Sequence, residues 1–270
     1  MSSIVSQRSE SALAHWREYL IEAWALGVFM VSAGLFTALL EHPSSPLTHL
    51  IGDESIRRAL IGLAMGATAV ALIYSPWGKR SGAHMNPAVT LTFLRLGKIA
   101  PRDAFAYIVC QFVGATLGVL ITLWILRDAF AMPPVNYVVT VPGINPLVAF
   151  MAELAISAVL MATVLVLSSA PRFAPFTGLA AGCLVFLYIT FEAPLSGMSM
   201  NPARSFGSAV IAGIWTDFWI YLTAPLLGMQ LAAALFIALR TPRRAPCAKL
   251  CHDLRQPCIH CGYRPPEATS

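Results

Sequence analysis

Six segments of this chain are apolar over a length that crosses a lipid bilayer as α-helix, which takes about 20 residues. Charged residues make up 11% of the sequence and hydrophobic residues 57%, whereas a soluble domain carries about 25% charged residues. The chain therefore has too little charge to cover a water-facing surface, and an integral membrane protein is predicted. The apolar periodicity is helical and does not fit the alternation of barrel strands. The predicted spans are Tyr19–Leu40, Ala59–Gly78, Ala104–Leu126, Leu147–Ala170, Phe173–Phe191 and Phe218–Leu239.

The net charge of +5 is explained by membrane orientation, so nucleic-acid binding is not expected. If the first span crosses outward from the cytosol, most basic residues fall on the cytosolic side, as the positive-inside rule requires. A multi-pass protein of the inner or plasma membrane with both termini in the cytosol is predicted. The residues expected in the cytosol are Arg8, Arg17, Lys79, Arg80, Arg95, Lys98, Arg102, Arg172, Arg240, Arg243, Arg244, Lys249, Arg255 and Arg264, and those expected outside are Arg57, Arg58 and Arg127.

Two further apolar stretches, Asn86–Leu94 and Asn201–Ala212, are too short to cross the bilayer. Each begins Asn-Pro-Ala, in which Asn is a good N-cap and Pro is favoured at the first helical position. Both are therefore predicted to be half-helices that begin inside the membrane. Irregular backbone at that depth must be buried in protein or line a water-filled cavity. The two motifs are Asn86, Pro87, Ala88 and Asn201, Pro202, Ala203.

The two halves of the chain repeat one order of residues, with three spans in each half. A glutamate, an Asn-Pro-Ala motif and a tyrosine follow one another as Glu22, Asn86 and Tyr107, and the order recurs from Glu153. Three spans per half invert the second half relative to the first, which places a site at the midplane between them. The predicted domains are an N-terminal tail (1–15), a membrane domain (16–240, repeats 16–127 and 146–240) and a Cys/His-rich tail (241–270).

From Trp16 to Leu239 the chain resembles the aquaporin (major intrinsic protein) family. The resemblance rests on segments 81–90 and 200–209 and on the paired glutamates. It implies an all-α membrane protein with six transmembrane helices and two half-helices in an inverted repeat. It further implies a passive channel that is not an enzyme, needs no cofactor for transport and assembles as a homotetramer in the bilayer.

The half-helices favour passage of neutral solutes, because their positive dipole ends would meet at the pore centre and repel cations and protons. Asn86 and Asn201 can each donate an amide hydrogen to a passing oxygen. The loops before them are expected to present carbonyl acceptors to the pore. These loop residues are Gly82, Ala83, His84, Met85, Gly197, Ser199 and Met200.

Three charged residues are predicted at membrane depth, where a charge is costly and indicates function. The resemblance makes Arg204 the arginine of the outer constriction; a snorkelling arginine at the interface is the alternative. It makes Glu22 and Glu153 acceptors that hold the half-helix loops, and a proton relay is the alternative. The rest of the expected constriction departs from the family's usual aromatic and His pattern, since its other positions are Met65, Ile189 and Met198.

These residues favour a water channel that also passes small neutral solutes. Ser205 stands where glycerol facilitators of the family carry Asp. A facilitator mainly for glycerol, ammonia, hydrogen peroxide or carbon dioxide is the first alternative, and a proton-coupled secondary transporter is a remote one. The spans carry no His pair or carboxylate cluster for an embedded enzyme.

The C-terminal tail carries Cys247, Cys251, Cys258 and Cys261 together with His252 and His260. Thiolates and imidazoles are zinc ligands, and the spacing of the last two cysteines is ligand-like. The four cysteines are therefore candidate ligands of a zinc ion. An unstructured or redox-sensitive tail and a surface modification site are the alternatives, while a cytosolic location disfavours stable disulfides.

Overall fold

The computed structural model describes residues 15–239 and 247–265, and every regular element in these ranges is helical. The rest of the predicted tails lies outside the described residues, together with Arg8, Arg240, Arg243 and Arg244. The α-helices are α1 (Trp16–Glu41), α2 (Pro46–Leu50), α3 (Glu54–Tyr74), α4 (Pro76–Ser81), α5 (Pro87–Arg95), α6 (Pro101–Leu126), α7 (Asp128–Ala131), α8 (Pro146–Ser168), α9 (Thr177–Phe191), α10 (Ala193–Ser196), α11 (Pro202–Ala212) and α12 (Phe218–Leu239); Asn136–Val138 and Ala174–Phe176 are 3₁₀ turns.

Six helices of the described chain are long and apolar enough to cross a membrane. They are α1, α3, α6, α8, α9 with the 3₁₀ turn before it, and α12. The predicted all-α class with six spans and two half-helices is confirmed. Large apolar side chains such as Leu117, Trp124 and Leu235 are exposed on the spanning helices, as expected of a surface that faces lipid.

The second spanning helix begins earlier and ends earlier than the predicted span Ala59–Gly78. It begins early because the Asp53 carboxylate caps it and accepts from two backbone N–H groups of the first turn. It ends early because Pro76 starts the separate short helix α4. Arg57 and Arg58 therefore lie in the first two turns of α3.

The two half-helices are α5 and α11, and both begin directly after the motif asparagines. Asn86 and Asn201 are the N-caps, with Pro in the first turn of each helix. Each half-helix packs against both α6 and α12. Each is thus held between one spanning helix of its own repeat and one of the other repeat, which fixes the motifs at the junction of the two halves.

Close helix crossings occur at equivalent glycines of the two repeats. A Cβ on Gly114 of α6 would lie 2.0 Å from the carbonyl oxygen of Ala23 in α1, and a Cβ on Gly228 of α12 would lie 2.3 Å from that of Leu154 in α8. Small residues permit such close approach of membrane helices. These crossings are adjacent in sequence to the repeated glutamates.

Gly114→Ala is expected to separate α6 from α1, because its Cβ meets a backbone oxygen that cannot rotate away. Overpacking usually costs about 1–3 kcal/mol, and we expect at least the upper end of that range here. The measurement is the yield of monodisperse protein after detergent extraction. Gly52→Ala is the matched control, since, its two chain neighbours aside, no described residue has an atom within 4 Å of the added Cβ. Equal yields of the two variants would contradict the packing.

Candidate functional site

An elongated cavity of about 320 Å³ passes between the spanning helices. Lining residues of α1 extend from Leu26 to Glu41, about 22 Å of helix, and those of α3 from Glu54 to Ile73, about 28 Å, at about 1.5 Å per residue. Residues 247–265 contact α4 and lie at one end of this cavity. We call that end the tail side and the opposite end, at Glu41 and Arg58, the far side.

All four residues of the expected constriction line the cavity, namely Met65, Ile189, Met198 and Arg204. Met65 lies in α3 and Ile189 in α9, two helices that pack against each other, and the side chains of Met65 and Met198 are buried. The Nη1 atom of Arg204 is buried and has no hydrogen-bond partner among the described residues. A guanidinium donor is thus available beside three apolar side chains.

The caps of the two half-helices meet at the middle of the cavity through reciprocal hydrogen bonds. The Asn86 amide donates to the Met200 carbonyl at 2.6 Å, and the Asn201 amide donates to the Met85 carbonyl at 2.7 Å. Each side-chain oxygen accepts from a backbone N–H of its own helix. The second N–H of each amide makes no hydrogen bond with a described residue, which leaves two donors in the cavity wall.

Glu22 of α1 is fully buried and holds the loop before α5. Its carboxylate accepts from Ser81 Oγ at 2.7 Å, from the backbone N–H groups of His84 and Met85 at 3.1 and 2.6 Å, and from Gln111 Nε2 at 2.9 Å. Sequence reasoning missed Gln111 of α6. The sequence feature that could have revealed Gln111 is a lone amide side chain in an apolar span, where a polar side chain requires a hydrogen-bond partner.

Glu153 of α8 holds the loop before α11 in the same manner. It accepts from Ser196 Oγ at 2.9 Å and from the backbone N–H groups of Ser199 and Met200 at 2.6 and 2.7 Å. The repeated tyrosines complete both networks, since Tyr107 donates to the Ser81 carbonyl and Tyr221 to the Ser196 carbonyl. Neither glutamate is among the described residues that line the cavity.

The loops before α5 and α11 contain backbone conformations that are rare for residues other than glycine. Ala83 and Met85 have φ of +55° and +49°, and Met198 and Met200 have +49° and +54°. Each costs about 1–3 kcal/mol and persists only where surrounding contacts fix it. The carboxylate networks supply those contacts.

One predicted pore-loop residue, Gly82, is placed elsewhere by the structure. It is not among the described residues that line the cavity, and its carbonyl accepts the backbone N–H of Leu250 at 3.1 Å. Because the tail packs against this carbonyl, the role expected of Gly82 as an acceptor in the pore stays a prediction. The other loop residues named above do line the cavity.

The tail brings four ligand atoms together, from Cys247, His252, Cys258 and Cys261, all within 4.8 Å of one another. The sulfurs of Cys247 and Cys258 are 3.3 Å apart, and Nε2 of His252 is 3.3 Å from the Cys261 sulfur. Tetrahedral zinc with Zn–S bonds of about 2.3 Å separates its sulfurs by about 3.8 Å, so small shifts would complete a Cys₃His site. Cys251 was predicted as a ligand, but its sulfur is not part of this group: Cys251 packs against the hydrophobic core cluster that includes Leu250, and the next residue, His252, offers the fourth ligand atom.

One of the three cluster sulfurs, that of Cys258, is favoured in its deprotonated form, while burial raises the pKa of Cys261. The hydrogen bond from the Cys247 thiol lowers the pKa of Cys258, and the nearby Lys249 ammonium lowers it further. The same hydrogen bond raises the pKa of Cys247. A thiolate is the form that binds metal.

Comparison with known proteins places the membrane domain in one family. Residues 9–236 match the family described as Major intrinsic protein. Aquaporin NIP3-1 of Arabidopsis thaliana is 31% identical over 216 residues, which is 78% of this chain and 67% of that protein. Aquaporin A of Dictyostelium discoideum is 32% identical over 199 residues, which is 71% of this chain and 70% of that protein.

Among solved structures, the aquaglyceroporin from Plasmodium falciparum superposes with a TM-score of 0.68. The match covers 82% of this chain and 95% of that one at 20% identity, so it shows the fold alone. The described tail, residues 247–265, begins after the last residue of the family match.

Glu153→Gln is expected to weaken the loop before α11, because the amide keeps one acceptor oxygen and turns N–H groups toward backbone donors. Unsatisfied buried groups cost about 1–3 kcal/mol each, which should lower the thermal unfolding temperature in detergent by several degrees. Glu54→Gln is the matched control, since Glu54 is exposed and its ion pair with Arg58 contributes little. An unchanged unfolding temperature for Glu153→Gln would contradict the holding role.

Proposed function

The chain belongs to the major intrinsic protein family, a family of channels and not of enzymes, and we propose that it forms a passive pore for water and small neutral solutes. This proposal rests on the cavity, whose lining includes both motif asparagines and Arg204. The free N–H of Asn86 and that of Asn201 would donate to a solute oxygen at the midpoint, and the Arg204 guanidinium would donate nearer the far side.

Exclusion of cations and protons is proposed to arise from the same junction. The N-termini of α5 and α11 meet there, and each contributes roughly +0.5 elementary charge. A water whose oxygen accepts from Asn86 and Asn201 cannot also accept a proton from its neighbour. The transporter alternative would use Glu22 or Glu153 as a proton relay, and neither is among the described residues that line the cavity, which disfavours it.

Selectivity among neutral solutes would be decided at the constriction. Met65, Ile189 and Met198 offer no strong hydrogen-bond partner, and flexible thioethers adapt their shape. Water is the proposed main solute, with glycerol, ammonia, hydrogen peroxide and carbon dioxide as the alternatives. The structural neighbour from Plasmodium falciparum is an aquaglyceroporin, which supports including glycerol in the test.

The chain is a multi-pass membrane protein. We propose on which side of the membrane its tail lies and how the chain assembles. Basic residues on the tail side, including Lys79, Arg80 and Arg95, support a cytosolic location for that side. Exposed apolar side chains on the spanning helices support contact with lipid and with further copies of the chain in a homotetramer. Transport is proposed to need no cofactor.

The tail cluster is proposed to hold one zinc ion through Cys247, His252, Cys258 and Cys261. The purified chain is then expected to contain about one zinc per chain by elemental analysis, released by a chelator. Cys258→Ser with Cys261→Ser should abolish binding, because half of the ligands are lost. Cys251→Ser is the matched control and should keep the metal. Equal loss of zinc in the control would contradict the assignment of ligands.

Water conduction is tested by stopped-flow light scattering of proteoliposomes in sucrose and glycerol gradients. Any zinc is first removed from the protein with a chelator. Met198→Trp is expected to reduce osmotic shrinkage at least about tenfold, because an indole fills the constriction. Met151→Trp is the matched control, since Met151 is an exposed residue of α8, and it should conduct like the parent chain. Shrinkage no faster than that of empty liposomes in both the parent chain and the control would contradict the channel.

A further inference from the structure

The tail contributes one apolar side chain to the lining of the cavity. Leu250 lines the tail-side end together with Ile73, Ala83 and His84. It is nearly fully buried and belongs to the same core cluster as the pore-lining residues. A tail residue therefore occupies the position through which a solute would enter or leave.

Leu250 is held there by hydrogen bonds to the pore loop itself. Its backbone N–H donates to the Gly82 carbonyl at 3.1 Å, and the His84 ring donates from Nε2 to the Ala248 carbonyl at 2.9 Å. The approach is close, since a Cβ on Gly82 would lie 2.7 Å from that same Ala248 carbonyl. The segment 247–250 thus packs on the loop that carries the first motif.

A second segment of the tail packs beside the first. His260 donates from Nε2 to the Ser81 carbonyl at 2.9 Å and stacks on the His84 ring, with centroids 5.8 Å apart at an interplanar angle of 12°. Lys249 is buried and donates to the Lys79 carbonyl at the end of α4. Both contacts satisfy backbone acceptors at the base of the pore loop.

The candidate metal ligands are placed where they join these two segments. Cys247 is three residues before Leu250, and Cys258 and Cys261 flank His260. Residues 247–265 form turns and bends with no helix or strand, so little within this segment fixes its shape. Small sites of this kind fold when metal binds, because the metal supplies the missing stabilisation.

We propose that residues 247–265 form a metal-dependent plug: a thiophilic divalent cation such as Zn²⁺, bound by the four ligands, holds Leu250 across the tail-side mouth and closes the pore. Loss of the metal releases the plug. This inference rests on the proposed channel function. An ion that binds only the docked tail shifts the docking equilibrium roughly 100-fold at about 100 times its dissociation constant.

The test uses the full chain in proteoliposomes, with zinc bound or removed by a chelator on both faces of the membrane. Water permeability is expected to fall at least about tenfold with zinc. Leu250→Gly should still bind one zinc per chain but conduct with and without it. Leu254→Ala is the matched control, because Leu254 is an exposed residue of the same tail, and it should be closed by zinc like the parent chain.

The outcomes separate the plug from the channel. If the parent chain binds zinc and conducts equally with and without it, the plug is contradicted and the channel stands. If Cys258→Ser with Cys261→Ser is also closed by zinc, the ion acts elsewhere and the plug is again contradicted. If neither the zinc-free parent chain nor Leu250→Gly conducts water, the proposed channel itself fails.

Discussion

The loops at the centre of this molecule depend on two buried carboxylates, those of Glu22 and Glu153. A half-helix that begins inside a membrane exposes backbone N–H groups and needs a loop in conformations that Ala and Met rarely adopt. Glu22 and Glu153 each accept hydrogen bonds from a serine hydroxyl and from two backbone N–H groups of such a loop. Without these acceptors the N–H groups of the loops would lose their hydrogen bonds in a region where water cannot replace the lost partners.

The part of this arrangement that recurs in the sequence could be predicted from it. Six spans, two Asn-Pro-Ala motifs and the paired glutamates are visible because both repeats carry them at similar spacing. The donation from Asn86 to the Met200 carbonyl could not be predicted, because it joins residues of different repeats and depends on how the halves pack. Gln111 occurs in one repeat alone, so its contact with Glu22 has no second copy to reveal it.

The tail was less predictable than the membrane domain for a related reason. Residue types indicated a metal cluster and made all four cysteines candidates, but only the path of the backbone brings His252, and not Cys251, to the other three sulfurs. Its contact with the pore loop is a long-range one, made by segments that do not take part in the repeat of the membrane domain. Apolar periodicity describes spanning helices and gives no information about how a short irregular segment packs on them.

The reciprocal asparagine bonds have a consequence for how this architecture can vary. They tie each half-helix to the backbone of the opposite loop, so the width at the midplane is set by main-chain geometry and both halves move together there. Substitutions at Met65, Ile189 or Met198 alter side chains alone and leave that width unchanged. The same rigid centre can therefore serve channels of different solute preference, with diversification confined to the two ends of the passage.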